Sequence, residues 1–424
     1  MTSSAPPRRC GRRASRPERR ERPAAGSATR VGIRAPQSRT RRLRFAVAGL
    51  LIAALAAFPA SAGTGSSPGL AALRICGGAG LPRPASAFRY VVLWPSQYRR
   101  IAAIKRRSPG VRVLVYKDMA STRDDARGSR DLPTGVGYSY ANRHHPEWFL
   151  RDTNGQRVNW AGWPHYWQMD VGSRAYQRAW VRGVARDLRR RSWDGVFVDG
   201  ISRTMQYPWY LNGRVLAKYP GPNDYARATT RFLRRVAPTL RRRHLVVGNM
   251  NDATPRLWRR WVGYMSGAAK EWWTKSSAAG GTGFLTGNDW AYQMSLLREA
   301  QARHKIFLAF TYGPPDDARA MDYARASFLL FAQGGRSAFG YAPPCGTEPP
   351  SPLWRADVGA PARPASQVGG VWRRDFTGGV AVVNPSASTT VTLPLGGSYL
   401  DPNGSVVTSV LLPPHTGLTL RRAS

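Results

Sequence analysis

The sequence predicts an α/β protein: a (β/α)8 TIM barrel followed by a small C-terminal antiparallel β module. Three observations lead there. β-Branched runs of strand length alternate with amphipathic helical stretches. Eight such units fit between residues 88 and 341, a span of 254 residues, against roughly 250 for barrels of this kind. Beyond residue 370 the texture changes to short alternating runs divided by turns such as Asn384-Pro385-Ser386 and Asp401-Pro402-Asn403-Gly404. A doubly wound sheet is the competing architecture, but no G-x-G-x-x-G follows the first strand.

The chain starts with its most basic segment. Of 64 Lys+Arg against 24 Asp+Glu, a net charge of +40, 14 Arg and only Glu18 and Glu21 lie in residues 1–44. An uncharged apolar run from Phe45 to Ala62 follows and ends in Ala60-Ser61-Ala62. Arginines, an apolar stretch and an A-x-A end describe a basic leader and signal peptide over 1–62. The competing reading is a membrane anchor, which Pro59 and the small residues at the end disfavour. The expectation is export, to the medium or the cell envelope, with no stable membrane insertion after cleavage. Cys76 and Cys345 then remain to pair in an oxidising compartment, while Cys10 leaves with the leader.

Residues 63–87 read as an N-terminal linker and 88–342 as the barrel. FRYVVLW (88–94) is the first strand, and Ser108-Pro109-Gly110 stops the helix before VRVLVY (111–116), the second. A Trp-rich excursion leads to YWQMDV (166–171), read as the third, and Ser173 opens a helix with apolar and arginine faces. The remaining strands are GVFVDG (195–200), HLVVGN (244–249), a weaker one ending at AAKEWW (268–273), KIFLAFTYG (305–313) and RSAFGY (336–341). If the barrel closes, its first and eighth strands are neighbours, and Cys76 and Cys345 flank them in sequence. A Pro-rich linker (343–370) precedes the β module (371–424).

Barrel enzymes place their chemistry at the C-terminal ends of the strands. Here those ends carry Asp118, Asp170, Asp199, Asn249, Asn251, Glu271 and Tyr312, in a chain where acids are scarce. In SWDGVFVDG, Asp194 falls at the floor and Asp199 at the mouth. Ala268 and Ala269 precede Glu271 and Trp272 and Trp273 follow it, while Lys270 points to the other face of an extended strand. The carboxyl thus meets apolar and aromatic surface that raises its pKa and favours a proton donor. Asp118 and Asp170 read as substrate-hydroxyl acceptors or pKa tuners, or as structural acids. Tryptophans after strands, among them Trp163, Trp272 and Trp273, suit pyranose faces or plug the barrel mouth. Neither a G-x-S-x-G elbow nor an H-E-x-x-H helix is visible, and no cofactor or metal is expected.

VYKDM, HPEWFLRDTNGQRV, YWQMDVGSRAYQRAW and WDGVFVDG resemble the hypothetical glycosyl hydrolase family 15, which is similar in turn to the endo-α-1,4-polygalactosaminidase family, glycoside hydrolase family 114. The resemblance covers residues 88–342. It implies a barrel with an Asp on strand four and a Glu on strand six as the acid pair, here Asp199 and Glu271. Asn249, Tyr312, Asp118, Asp170, Trp163, Trp272 and Trp273 are the substrate-contact candidates. The expected function is a secreted glycoside hydrolase that cleaves a polysaccharide, with Asp199 as nucleophile or base and Glu271 as general acid. A catalytically silent barrel that binds an anionic envelope polymer is the alternative. Nucleic acid is not an expected partner, because arginines recur on helix exteriors (186–191, 241–243) rather than in one stripe. A monomer is expected.

Overall fold

The structure, a computed structural model, describes residues 69–76, 81, 85–125, 132–207, 210–349 and 357–423. The leader read over 1–62 lies outside the described residues. In chain order the barrel begins with β1 (Gly69–Arg74), β2 (Phe88–Leu93), the short helix α1 (Ile101–Arg107) and β3 (Arg112–Asp118). An excursion follows with β4 (Ser121–Arg123), α2 (Tyr138–His144), β5 (Asn159–Trp160) and β6 (Trp163–Gln168). Then α3 (Arg174–Arg190) leads to β7 (Gly195–Asp199), α4 (Asp224–Arg241) to β8 (Leu245–Asn249), and α5 (Pro255–Tyr264) to β9 (Gly267–Lys270). Finally α6 (Gly287–Ala302) leads to β10 (Ile306–Tyr312) and α7 (Ala318–Phe331) to β11 (Ser337–Ala342). The eight parallel strands close in the order β1-β11-β10-β9-β8-β7-β3-β2.

The (β/α)8 barrel is therefore present, with two strands exchanged relative to the sequence reading. YWQMDV is not the third barrel strand. Its first part belongs to β6, which pairs antiparallel with β4 and β5 in a separate three-stranded sheet. The first three residues of β6 are exposed, whereas a parallel barrel strand is covered on both faces. The missing strand is β1, inside the segment read as linker. Its sequence GLAALR has no β-branched residue, so it carries no strand signal of its own; pairing with β2 and β11 makes it a strand.

Local sequence explains the helices. Ser173 caps α3 by accepting from the Tyr176 N–H, and Tyr176, Trp180, Val184 and Leu188 repeat every four residues on its buried face. Thr254 caps α5 ahead of Pro255, and Asp317 caps α7. Asp194 lies just before β7 at the floor, accepting from the Val113 N–H at 2.8 Å.

Inside the barrel, Leu114, Tyr116, Phe197, Val247, Ala269, Leu308 and Phe310 form one buried cluster. Side chains on a strand alternate with a period of two. The next inward positions are thus Asp118, Asp199, Asn249, Glu271 and Tyr312, each at the C-terminal end of its strand. The apolar layer is the floor on which the polar ring stands.

The C-terminal module has β12 (Ser366–Val368), β13 (Val371–Phe376), β14 (Gly379–Asn384), β15 (Val391–Leu400), β16 (Val406–Leu412) and β17 (Thr416–Arg422), in the order β12-β13-β14-β17-β15-β16. Its first strand falls inside the expected linker. Val380, Val382, Leu393, Leu395 and Leu420 make a core on one face. Ala381, Val383 and Phe376 on the other join the main core against α7. Buried Arg374 donates to the carbonyls of Leu329 (2.9 Å) and Ala332 (2.7 Å) at the end of α7, groups that a helix leaves unpaired. No helix among the described residues is long and apolar enough to cross a membrane.

Cys76 and Cys345 form a disulfide with Cα atoms 5.1 Å apart, just beyond β1 and β11. Beside it the buried Arg74 guanidinium meets both Glu348 oxygens. Replacing both cysteines with serine should cost about 2–4 kcal/mol in denaturant unfolding. Reductant should lower the wild-type midpoint toward that of the variant and leave the variant unmoved.

Candidate active site

The polar ring lines a cleft of about 820 Å³ at the C-terminal ends of the strands. Asp199 and Glu271 face one another across Asn249, which is 3% exposed. The Asn249 Nδ2 donates to Asp199 Oδ1 at 3.0 Å and to Glu271 Oε2 at 2.8 Å. The two hydrogens of a planar amide diverge by about 120°, which sets those carboxylate oxygens about 5 Å apart. The reverse amide orientation would aim its oxygen at two carboxylates, so this network fixes the side chain. The Asn249 Oδ1 is buried without a hydrogen-bond partner.

Each carboxylate is also held from its far side. Tyr116, two residues before Asp118 on the same inward face, donates its hydroxyl to Asp199 Oδ2 at 2.7 Å. Tyr312 donates to Glu271 Oε1 at 2.5 Å, and Asn251 Nδ2 to Oε2 at 3.2 Å. Asn251 Oδ1 in turn accepts from the Glu271 N–H at 3.0 Å. Burial, then the charge of Asp199, pushes the Glu271 carboxyl up from its ordinary range, and the three donors only partly oppose this.

Asp118 lies directly beside Asp199 in the β3–β7 register and is 4% exposed. Its Oδ1 accepts from the N–H groups of Ala120 (2.7 Å) and Ser121 (3.1 Å), and its Oδ2 from the Ser121 hydroxyl (2.6 Å). Burial and then Asp199 push its pKa up to about 7. Gly200, at φ +73°, bends the chain straight after Asp199; a Cβ there would stand 2.4 Å from Asp118 Oδ1.

The other expected residues divide. Trp272 lines the cleft, with its ring edge-on to Tyr312 at 4.8 Å, and its backbone is left-handed at φ +57°. That bend parts the tryptophan pair: Trp273 turns to the outer side of the barrel wall and is fully buried against Phe307. Trp163 stands at the cleft rim, 59% exposed. Asp170 is buried outside the cleft, where it accepts from Tyr219, Lys218 and the Gly172 N–H and ties the loop after β6. Trp160, one of the tryptophans after strands, lines the cleft, and so do Tyr116, Trp94, Tyr210 and Asp252, which the strand-end reading does not single out. Counting back by two from Asp118 finds Tyr116, and Trp94 directly follows β2; Tyr210 and Asp252 stand on loops that only the fold brings in.

Among the described residues, Asp124, Asp125 and His165 could bring ligand atoms within 4.8 Å of one another. They are exposed and already engaged: Asp124 by His165 and Trp167, Asp125 by Arg123. No metal is assigned there.

The pKa of Asp118 has a consequence for stability. Its folded value lies above the ordinary carboxylate value, so the penalty for ionising it is absent at low pH, grows as pH rises from about 4 to about 7, and is complete above. Asp118→Asn should therefore raise the melting temperature clearly at pH 8 and little at pH 4.5, as thermal unfolding at the two pH values will read.

The hypothetical glycosyl hydrolase family 15 matches residues 105–380 of the chain. No protein of curated function matches it in sequence. Among solved structures, a maltogenic α-amylase of Thermotoga neapolitana is similar at 11% identity, over 84% of this chain and 99% of that one, with a TM-score of 0.47. Amy13B of Eubacterium rectale is similar at 10% identity, over 85% and 98%, at 0.46. Aspergillus fumigatus Ega3, in complex with galactosamine, is similar at 11% identity, over 69% and 98%, at 0.43.

Proposed function

The chain belongs to the hypothetical glycosyl hydrolase family 15 and is a glycoside hydrolase; from its cleft we propose a retaining enzyme that acts on a polysaccharide, with Asp199 as nucleophile and Glu271 as acid and base. One observation carries this reading: a single amide nitrogen bridges the two carboxylates. Retaining glycosidases hold their carboxyl groups about 5–5.5 Å apart, whereas inverting ones leave about 6.5–9.5 Å for a water. The shared donor favours the shorter class.

The chemistry follows from the surroundings of each acid. Glu271, its pKa raised by burial and by Asp199, keeps a proton at a pH where an ordinary carboxyl has lost it. Its Oε2 takes two amide hydrogens, which cannot reverse, so the transferable proton belongs on Oε1, where the Tyr312 hydroxyl can donate or accept. In the first step an Asp199 oxygen attacks the anomeric carbon, the glycosidic bond breaks, and the Glu271 proton passes to the leaving oxygen. Asp199 is then an uncharged ester, and the repulsion that raised the Glu271 pKa is gone. Glu271 therefore stays ionised once its proton has left, takes a proton from water as the hydroxide oxygen attacks the anomeric carbon, and Asp199 leaves as the carboxylate.

Trp94, Trp160, Trp163 and Trp272 line the cleft and supply flat faces for pyranose rings. They support a chain of sugars as the substrate. The basic, apolar, A-x-A leader supports export. The alternative, a silent carbohydrate-binding barrel, has less support, because binding alone does not require two carboxylates locked to one donor.

Against a panel of cell-envelope and exopolysaccharide polymers, Asp199→Asn should lower hydrolysis by at least about 10³-fold with the fold intact by circular dichroism. The first product, read by proton NMR before mutarotation, should keep the anomeric configuration of the substrate. Full activity in Asp199→Asn removes the assignment of Asp199, and an inverted first product removes the retaining mechanism.

A further inference from the structure

The arginines that charge this chain are unevenly spread around the barrel. Helices α3, α4 and α5 carry 14 arginines against two acids, while α6 and α7 carry three against three. The arginine runs at 186–191 and 241–243, which in the sequence look scattered around the ring, fall at the C-terminal ends of α3 and α4, and these two helices pack side by side.

On α3, Arg174, Arg178, Arg182, Arg186 and Arg190 recur every four residues, all exposed. At 1.5 Å per residue successive guanidinium groups are rooted about 6 Å apart. Exposed Arg231, Arg234 and Arg235 on α4 extend the row sideways. Between the helices runs an open groove of about 460 Å³ lined by Val181, Arg182, Ala185, Arg186, Arg189 and Thr239. Both acids of this face are already engaged. Asp187 pairs with buried Lys117 at 2.5 Å, and Asp224 with Arg227. Like charges at four-residue spacing repel, and among the described residues no acid pairs with the five arginines of the α3 row.

The chemistry of the face narrows its partner. Arginine forks match phosphate oxygens two at a time. None of the exposed large apolar side chains lies on α3, α4 or α5. Tyr140 of α2 stands beside Arg182 and Arg186, but its ring packs against His144, His145 and Trp148, so the face offers little to insert into a bilayer or to stack on successive bases. We infer that the α3–α4 face is a docking surface for a flexible, phosphate-bearing polyanion, separate from the cleft that holds the carboxylates. Such a contact would hold the enzyme on a charged matrix while the cleft stays free.

The test uses long-chain inorganic polyphosphate and the full chain, with binding read by calorimetry across a salt series. Wild type should bind with an affinity that falls steeply with salt. The variant with Arg178, Arg182, Arg186, Arg231 and Arg235 all changed to Gln should bind at least about 30-fold more weakly, with the slope of log K against log salt reduced by roughly three to four. Lysine at the same five positions keeps the charge and loses the forks, and should cost about three- to tenfold. A control that removes five arginines elsewhere (Arg106, Arg107, Arg298, Arg363, Arg421) should stay within about threefold of wild type. Melting curves confirm that each variant folds. Equal losses in the five-Gln variant and the control, or no binding by wild type, would overturn the inference. Tighter binding to duplex DNA or to phosphatidylglycerol vesicles at the same salt would also overturn it, by assigning the face to nucleic acid or membrane.

Discussion

The join between β1 and β11 turns a curved sheet into a closed barrel, and the site depends on it. It is the thinnest seam in the ring: two residue pairs connect β1 to β11, where six connect β10 to β11. Two further links stand at the C-terminal end of the same seam, the Cys76–Cys345 disulfide and the buried Arg74–Glu348 pair. Both lie at the end where the carboxylates are, and residues on each side of the seam, from Leu73 to Cys76 and from Gly340 to Cys345, line the cleft. The reinforcement thus fixes a wall of the site as well as the barrel. A closed sheet also has no free edge to pair with another chain.

Once the ring is closed, alternation along the strands does the rest. Apolar side chains fill the lumen and leave the last inward position of each strand at the mouth, half out of water. Carboxylates there are costly because they crowd one another and lose hydration. The protein meets that cost with donors from neighbouring strands: Tyr116 for Asp199, Tyr312 and Asn251 for Glu271, and Asn249 for both. The Asn249 side chain is a strut. It keeps two repelling groups at a fixed separation, and its own oxygen stays buried and unpaired.

The sequence shows the site more clearly than the architecture. Asp199, Asn249, Glu271 and Tyr312 can be placed because each follows a run with an obvious strand pattern, and the rule that barrels work at strand ends supplies the rest. The barrel's beginning is hidden, because GLAALR becomes a strand through its neighbours and not through its composition. YWQMDV misleads for the converse reason: its pattern is that of a strand, but pairing with β4 and β5 takes it out of the ring. One strand missed and one added left the count at eight, so Asp199 and Glu271 still fall on the fourth and sixth strands. Asp170 fell with the misplaced strand. The division of Trp272 from Trp273 was invisible for a different reason, since a left-handed backbone at a tryptophan has no sequence signature.

The covering of α7 bears on how this chain could have been assembled. Ten of its fourteen residues are buried, against six of sixteen on α6, because β14 and β17 cover the side that would face water. Gly417 lies so close that a Cβ would come within 2.9 Å of the Tyr323 Cα. Helix and sheet have thus become one hydrophobic layer, and the module is not an appendage that recombination could trade between barrels at the Pro-rich joint. The physical boundary between barrel and module therefore lies in the layer that α7 shares with β14 and β17, and not at the linker where the chain changes texture.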